Sequence, residues 1–230
     1  MTLLDPTSAA TADAEREAMA GRLLRSAARQ SYDPEVDIDW EAPAVPGLWW
    51  MQPERMSLYG TRMWDRLSEE QRITLSAHEV ASIASVGIWF EIVLMQLLLR
   101  DAYVADPRSA RTQFALTEVG DETRHTVMFG RSIAAMGVPA YGPRPRIHRI
   151  ARVGPLALHG PSAYASILIG EEPVDRWQRD LARDERIQPL TRMVARIHVT
   201  EEARHVTFAR EELVRAVRGM AGPAWPGTRR

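Results

Sequence analysis

The sequence predicts an all-α fold, a four-helix bundle of two helix hairpins joined by a long crossover, preceded by an N-terminal helix and an irregular arm. Three observations predict it. Two short stretches share the form acid-Glu-x-Arg-His: Asp121-Glu122-Thr123-Arg124-His125 and Glu201-Glu202-Ala203-Arg204-His205. Glu91 precedes Glu122 by 31 residues, and Glu171 precedes Glu202 by the same interval. Glu91 to Glu171, Glu122 to Glu202 and His125 to His205 are each 80 residues apart, so both halves of the chain repeat a lone Glu followed by a Glu-x-x-His.

Composition bounds the chemistry. At 230 residues nothing compels a second domain, and the expectation is one domain over 1–230, with its core at about 68–219 and an N-terminal arm at 1–67. A net charge of -1 argues against nucleic-acid binding. The absence of Cys removes thiolate metal sites, so any metal is held by oxygen and imidazole nitrogen. All 29 basic residues are Arg, which excludes lysine Schiff-base chemistry. Acids at Asp5, Asp13, Glu15 and Glu17 are unlike a signal peptide, so a cytoplasmic location is expected. The most apolar run, Ile88 to Leu99, carries Glu91 and Gln96 and is shorter than the roughly 20 residues of a membrane span. It reads as a buried helix.

The elements follow in order. Residues 11–30 read as a polar helix with a thin apolar stripe through Met19, Leu23 and Leu24, packed on the outside. From Tyr32 to Gly60, prolines interleaved with Trp40, Trp49, Trp50 and Met51 predict an irregular arm that buries aromatics. Ser68 with Gln71 forms a capping box that opens a helix to about Tyr103, with Glu91 in its inner face beside Val80, Ile83, Leu94 and Leu98. Asp106-Pro107 reads as the start of a helix ended near Met136 by Gly137. Five prolines in 138–161 predict an irregular connection. A third long helix covers about 162–184 with a kink at Pro173, and Gln188-Pro189 opens a fourth to about Gly219. The tail from Pro223 reads as loose. Helical phase turns Glu171 inward and Glu172 outward, and the repeat selects Glu171 independently.

Residues three apart share a helix face, so Glu122 with His125 and Glu202 with His205 each converge on one point. Two helices each giving a Glu, and two each giving a Glu-x-x-His, form the arrangement that holds two iron or manganese ions in a bundle core. Asp121 and Glu201 are placed to accept the free ring N–H of the histidine on the opposite helix. Arg124 and Arg204, equivalent in the repeat, read as partners of neighbouring acids. His78, His148 and His159 lie off the phased set. Gly87, Gly120 and Gly170 sit inside helices near these acids, where close packing and room for a ligand are equal readings. Arg144, Arg146, Arg149 and Arg152 read as a solvated connection rather than a dock for an acidic carrier.

With these motifs the sequence resembles the ferritin-like diiron carboxylate proteins, and within them the p-aminobenzoate N-oxygenase family. His198, four residues before Glu202, gives His198-x-x-x-Glu202-x-x-His205, and that family has a third histidine at this place. The resemblance covers about 32–215 and includes Tyr32-Asp33-Pro34 to Trp40 and Leu58-Tyr59-Gly60-Thr61. It implies seven metal ligands: Glu91, Glu122, His125, Glu171, His198, Glu202 and His205. The repeat sets Glu118 opposite His198, its role open between bystander, supporting acid and ligand.

The resemblance also implies two ferrous ions, with manganese as the alternative metal, dioxygen as co-substrate, an external electron donor and N-oxygenation of an amine, an arylamine going to hydroxylamine or nitro. Carbon hydroxylation or desaturation of a small-molecule or carrier-bound substrate, metal storage, dimanganese peroxide degradation and a purely structural bundle are the other readings. A homodimer is expected only by prevalence.

Overall fold

The structure, a computed structural model, describes residues 6–220, and the tail from Pro223 lies outside the described residues. The chain forms eight α-helices among the described residues: α1 (Pro6–Arg29), α2 (Pro34–Asp37), α3 (Arg62–Arg66), α4 (Glu69–Tyr103), α5 (Ala110–Met136), α6 (Pro145–Ala157), α7 (Pro161–Arg183) and α8 (Pro189–Met220). The hairpins α4–α5 and α7–α8 have the most extensive packing and carry the repeat. The all-α bundle is as the sequence predicts.

Local chemistry sets the helix ends. Ser68 Oγ accepts from the Gln71 N–H at 3.2 Å while the Gln71 side chain accepts from the Ser68 N–H at 2.9 Å, so two orphan donors at the start of α4 are satisfied. Gly137 closes α5 in the left-handed region, with φ of 66°. The start of α5 differs from expectation. Ser109 is the N-cap, accepting from the Thr112 N–H, whereas Asp106 takes the N–H of Arg108 in the preceding turn.

The crossover is also corrected, since residues 145–157 form α6. Pro145 stands in the first turn, where a missing N–H costs nothing, and Pro155 falls in the last turn. The Pro155 carbonyl accepts from the Leu158 N–H at the end of α6, and Arg100 of α4 donates to the carbonyls of both Pro155 and Leu158. Arg144, Arg146, Arg149 and Arg152 are all exposed. Helix α7 runs unbroken through Pro173.

Helix α4 has the predicted extent, but its apolar stretch is longer than the run Ile88 to Leu99 read from the sequence. It is 35 residues long, with an 18-residue window of mean hydropathy 1.9, long and apolar enough to cross a membrane by composition alone. Only Glu91 is charged between Val80 and Leu99, so the apolar stretch extends well before Ile88. It is packed along α5 with Leu94, Leu97, Leu98 and Glu91 buried, while Ile83, Ile92 and Leu99 remain exposed.

The packed interior falls into layers. Leu94, Leu98, Phe114, Ile167 and Phe208 fill one end, and Val80, Ala81, Ile133, Leu181 and Ala195 fill the other. Between them in sequence, on all four long helices, lie the charged residues of the repeat. The arm packs on the second end. Trp50 and Met51 are buried, and Trp49 pairs with the α7–α8 turn by accepting from the Gln188 N–H and donating to the Arg186 carbonyl.

Helix α1 is not merely external. Met19 and Ala20 are buried with Phe114 and Phe208, and Arg16 pairs with Glu212 of α8, which also accepts from Arg111 of α5 at 2.9 Å. Glu212 is 1% exposed and so depends on both cations. Glu212→Ala is expected to cost about 3 kcal/mol, the low end for breaking a buried pair because Arg16 keeps part of its side chain in water. Urea unfolding measures it, and a loss under about 0.5 kcal/mol, the scale of a featureless surface change, contradicts the assignment.

Candidate metal centre

The antiparallel pairing of α5 and α8 brings the two Glu-x-x-His motifs face to face. Both histidines turn Nδ1 inward: His125 Nδ1 lies 2.9 Å from Glu122 and 3.4 Å from Glu202, and His205 Nδ1 lies 2.9 Å from Glu122 and 3.1 Å from Glu202. Glu122 and Glu202 therefore each sit between the two rings. Both histidines turn Nε2 outward across the helix interface, His125 to Glu201 at 2.9 Å and His205 to Asp121 at 3.1 Å.

The outward acids are themselves held. Arg124 pairs with Asp121, and Arg204 lies 3.4 Å from Asp121 and 3.6 Å from Glu201. The segment after α1 adds a clamp that the sequence did not signal: the Tyr32 N–H donates to Glu201 at 3.2 Å, and Arg204 donates to the Gln30 carbonyl at 3.1 Å. These bonds give the Tyr32 lead-in a physical role, since it orients the acid that orients His125.

The remaining residues close the centre. Glu91 and Glu171 are each 2% exposed, whereas Glu172 points outward to Arg210 at 2.7 Å. His198 is 1% exposed, with Nε2 3.4 Å from Glu91 and its ring 4.6 Å from that of His125. Glu118 is fully buried and neither of its oxygens has a hydrogen-bond partner. Three groups bring ligand atoms within 4.8 Å of one another: Glu91, His125 and His198; Glu118, Glu122 and His205; and Glu122, His125 and Glu202. Glu171 stands outside these three, though it feels the charges of Glu202 and Glu122. His78 bonds to Tyr141, and His148 and His159 are exposed, away from the centre.

Protonation follows from burial. Burial, and then the neighbouring acids, push the Glu91 and Glu171 carboxyls well above the ordinary range. Burial does the same to Glu118, against a partial pull from His205. Burial opposes charge on His125 and His205 too, but carboxylates at both ring nitrogens outweigh it and raise both histidines well above their usual value. Glu122 and Glu202 are held low against burial, chiefly by His205. His198 lacks such partners, and burial with the nearby His125 charge lowers it to about 4, leaving a neutral imidazole.

A cavity of about 360 Å³ reaches this centre from between α4 and α7, with Glu91, Glu171 and His198 in its wall. Most of its lining is apolar or aromatic, including Trp89, Phe90, Phe129 and Trp177. The three helix glycines divide accordingly. A Cβ on Gly170 would stand 2.1 Å from the Phe90 ring, so Gly170 is a close-packing position. Gly87 lines the cavity in ordinary contact with Phe129, and only the Arg124 side chain approaches Gly120.

The profile of the p-aminobenzoate N-oxygenase AurF family matches residues 13–224, which include every residue of this centre. The chain belongs to that family. It is an oxygenase family, and its all-α ferritin-like bundle is the fold seen here. Similar curated proteins include an uncharacterized protein of Mycobacterium bovis and uncharacterized proteins of two strains of Mycobacterium tuberculosis. Each is 31% identical over 209 residues, which is 87% of this chain and 61% of theirs. The chain thus spans about three-fifths of the length of these relatives. No solved structure matches.

Gly170→Ala is expected to destabilise the protein by roughly 1–3 kcal/mol through overpacking on Phe90. In a Phe90→Ala background the same change should become neutral or stabilising by up to about 1 kcal/mol, because alanine is the better helix former. A double-mutant cycle by chemical denaturation reads the reversal, and equal costs in both backgrounds contradict it.

Proposed function

We propose that the protein is a nonheme diiron oxygenase that uses dioxygen to oxidise a small molecule, and that its reaction is N-oxygenation of an amine. The observation that carries this reading is the pair of inward-facing Nδ1 atoms with Glu122 and Glu202 between them, within a chain of an oxygenase family. The donor set fits two divalent cations: oxygen and imidazole nitrogen only, several buried carboxylates, and orphaned atoms at Glu91 Oε2, Glu171 Oε1, Glu202 Oε2 and His198 Nδ1. The proposed ligands are Glu91, Glu122, His125, Glu171, His198, Glu202 and His205. Glu118, clustered with Glu122 and His205, is an eighth available donor.

Bound iron would supply the redox chemistry and the activation of dioxygen, with electrons from an external donor. The protein's own groups do the rest. Asp121 and Glu201 fix the ring orientations by accepting at Nε2, so that Nδ1 faces the centre. Glu122 and Glu202 offer carboxylates to both halves at once. The apolar cavity excludes water beside Glu91 and His198 and positions the group to be oxidised there.

The test is anaerobic iron loading followed by oxygen and an arylamine. Two irons per chain and a hydroxylamine or nitro product are expected. Two irons with products oxidised only at carbon would replace N-oxygenation by hydroxylation. Many irons per chain in a closed shell would replace it by storage.

Metal binding should also expel protons. Glu91, Glu118, Glu171, His125 and His205 all hold protons more tightly than usual in the metal-free protein, and cations compete with them. Affinity is therefore expected to rise with pH, with net proton release read by calorimetry in buffers of different ionisation heat. Zero release contradicts the assignment. Stability has the opposite sign in the metal-free chain. Groups raised above their unfolded values bind more protons when folded, so above the ordinary histidine value near 6.5 their contribution is lost as pH rises. The Tm of the metal-free protein should fall from neutral to alkaline pH, and metal should restore it.

A further inference from the structure

Charge and exposure single out one side of the molecule. Helix α6 repeats one step three times, Arg146-Ile147, Arg149-Ile150 and Arg152-Val153, so residues three apart set a row of guanidinium groups beside a row of aliphatic side chains. Both rows face outward. Ile147 is 43%, Ile150 64% and Val153 62% exposed, and the exposed Arg144, Arg146, Arg149 and Arg152 form no ion pair among the described residues. The other side of α6 is tied to α4, with the His148 ring 6.3 Å from that of Trp89 and Arg100 donating to the carbonyls of Pro155 and Leu158.

The surroundings share this character. No Asp or Glu occurs between Glu122 and Glu171, and on α4 the one acid between Glu79 and Asp101 is the buried Glu91. Ile83, Val86, Ile92 and Leu99 of α4 are exposed, as is Ile169 of α7. A solvated connection would be polar over its outer face. This face is aliphatic and cationic, in a chain whose net charge is -1.

Each feature narrows the occupant. Exposed aliphatic side chains call for an apolar phase, and unpaired arginines with no acid beside them call for anions. Nucleic acid supplies the anions alone. A second copy docked face to face would set these arginines against their own equivalents, which like charge opposes. Side chains so exposed stand proud of the surface instead of lining a groove for a partner's helix, which suits the interface of a bilayer.

We propose that α6 and the adjoining face of α4 form a peripheral membrane-binding surface: Ile147, Ile150 and Val153 enter the boundary between headgroups and acyl chains of an anionic bilayer, and Arg146, Arg149 and Arg152 hold its phosphates. The helix lies in the plane of the interface and does not span it. Trp89, which meets His148 of α6, also lines the cavity beside Glu91, so that cavity stands next to the bound face. The binding is independent of what the centre oxidises.

The test is sedimentation of the full chain with sucrose-loaded vesicles of phosphatidylcholine alone, or of phosphatidylcholine and phosphatidylglycerol in equal parts, at low and high salt. Partitioning onto the anionic vesicles is expected to be at least about tenfold stronger and to weaken as salt rises. Arg146→Gln/Arg149→Gln/Arg152→Gln removes three charges, each strengthening binding about fivefold near an anionic surface, and should lower it roughly 100-fold. Ile150→Ser/Val153→Ser should lower it at least about tenfold by removing the inserted side chains. Both variants change exposed positions and are checked for helix content and Tm. Arg62→Gln/Arg66→Gln, the same kind of change on exposed residues of α3, should leave binding within about twofold. No binding to anionic vesicles, equal binding to both kinds, wild-type binding by the folded α6 variants, or an equal loss in the α3 variant overturns the proposal. Two further results overturn it by naming another occupant. Binding to poly-L-glutamate but to neither vesicle assigns the face to an acidic protein. A dimer in analytical ultracentrifugation that Ile150→Ser/Val153→Ser dissociates, with no vesicle binding, assigns it to a second copy.

Discussion

A carboxylate withdrawn from water must find positive charge or keep its proton, and five glutamates, Glu91, Glu118, Glu122, Glu171 and Glu202, face that constraint together in the middle of this bundle. Apolar clusters pack the helices at either end of this layer. The charged layer is tolerated because protons and imidazoles fill the role of cations: Glu91, Glu118 and Glu171 stay neutral, while Glu122 and Glu202 pair with protonated His125 and His205. The layer stays poised in this way, since each such proton is one that a divalent cation can displace.

Holding the layer in register takes a wider shell than the repeat itself. Asp121 and Glu201 cross between α5 and α8 to the opposite histidines, so each helix aims the other's ring. Arg204 and the Tyr32 N–H then tie Glu201 to the segment after α1. A shift of either hairpin would break both crossed bonds at once. Fold and site are one constraint here, because the bonds that orient the imidazoles also fix the pairing of α5 with α8.

What could be read in the sequence followed from periodicity. The 31- and 80-residue intervals, helical phase and capping chemistry located the four long helices, the inward Glu171 and the Asp121 and Glu201 partners, all consequences of spacing along the chain. What escaped reading depends on packing between elements. Helix α6 holds Pro155 in its last turn, and Arg100 of α4, 55 and 58 residues away, adds donors at that end. Glu212, one acidic residue among many on α8, gained its role only through Arg16 and Arg111, 196 and 101 residues away. Gln178 and Thr191 have no motif. Their place in the wall of a cavity is visible only once the helices are packed.

The repeat is most informative where it fails. Shifting the cavity wall by 80 residues maps Val174, Trp177, Gln178 and Val194 onto Leu94, Leu97, Leu98 and Phe114. Those four are buried and pack into one cluster, and the pocket of about 300 Å³ that Leu97 and Leu98 help to line has no residue of the centre in its wall. Phe90 and Gly170 are equivalent too, and the large residue on α4 packs over the small one on α7, at the cavity. The ligand-bearing positions break symmetry in the same sense. His198, neutral and beside the cavity, answers to Glu118, which is buried, protonated and closed off. Two equal half-sites would be approached equally from both ends. Here leucine and phenylalanine packing lines one end, and at the other a cavity opens onto the uncharged imidazole of His198.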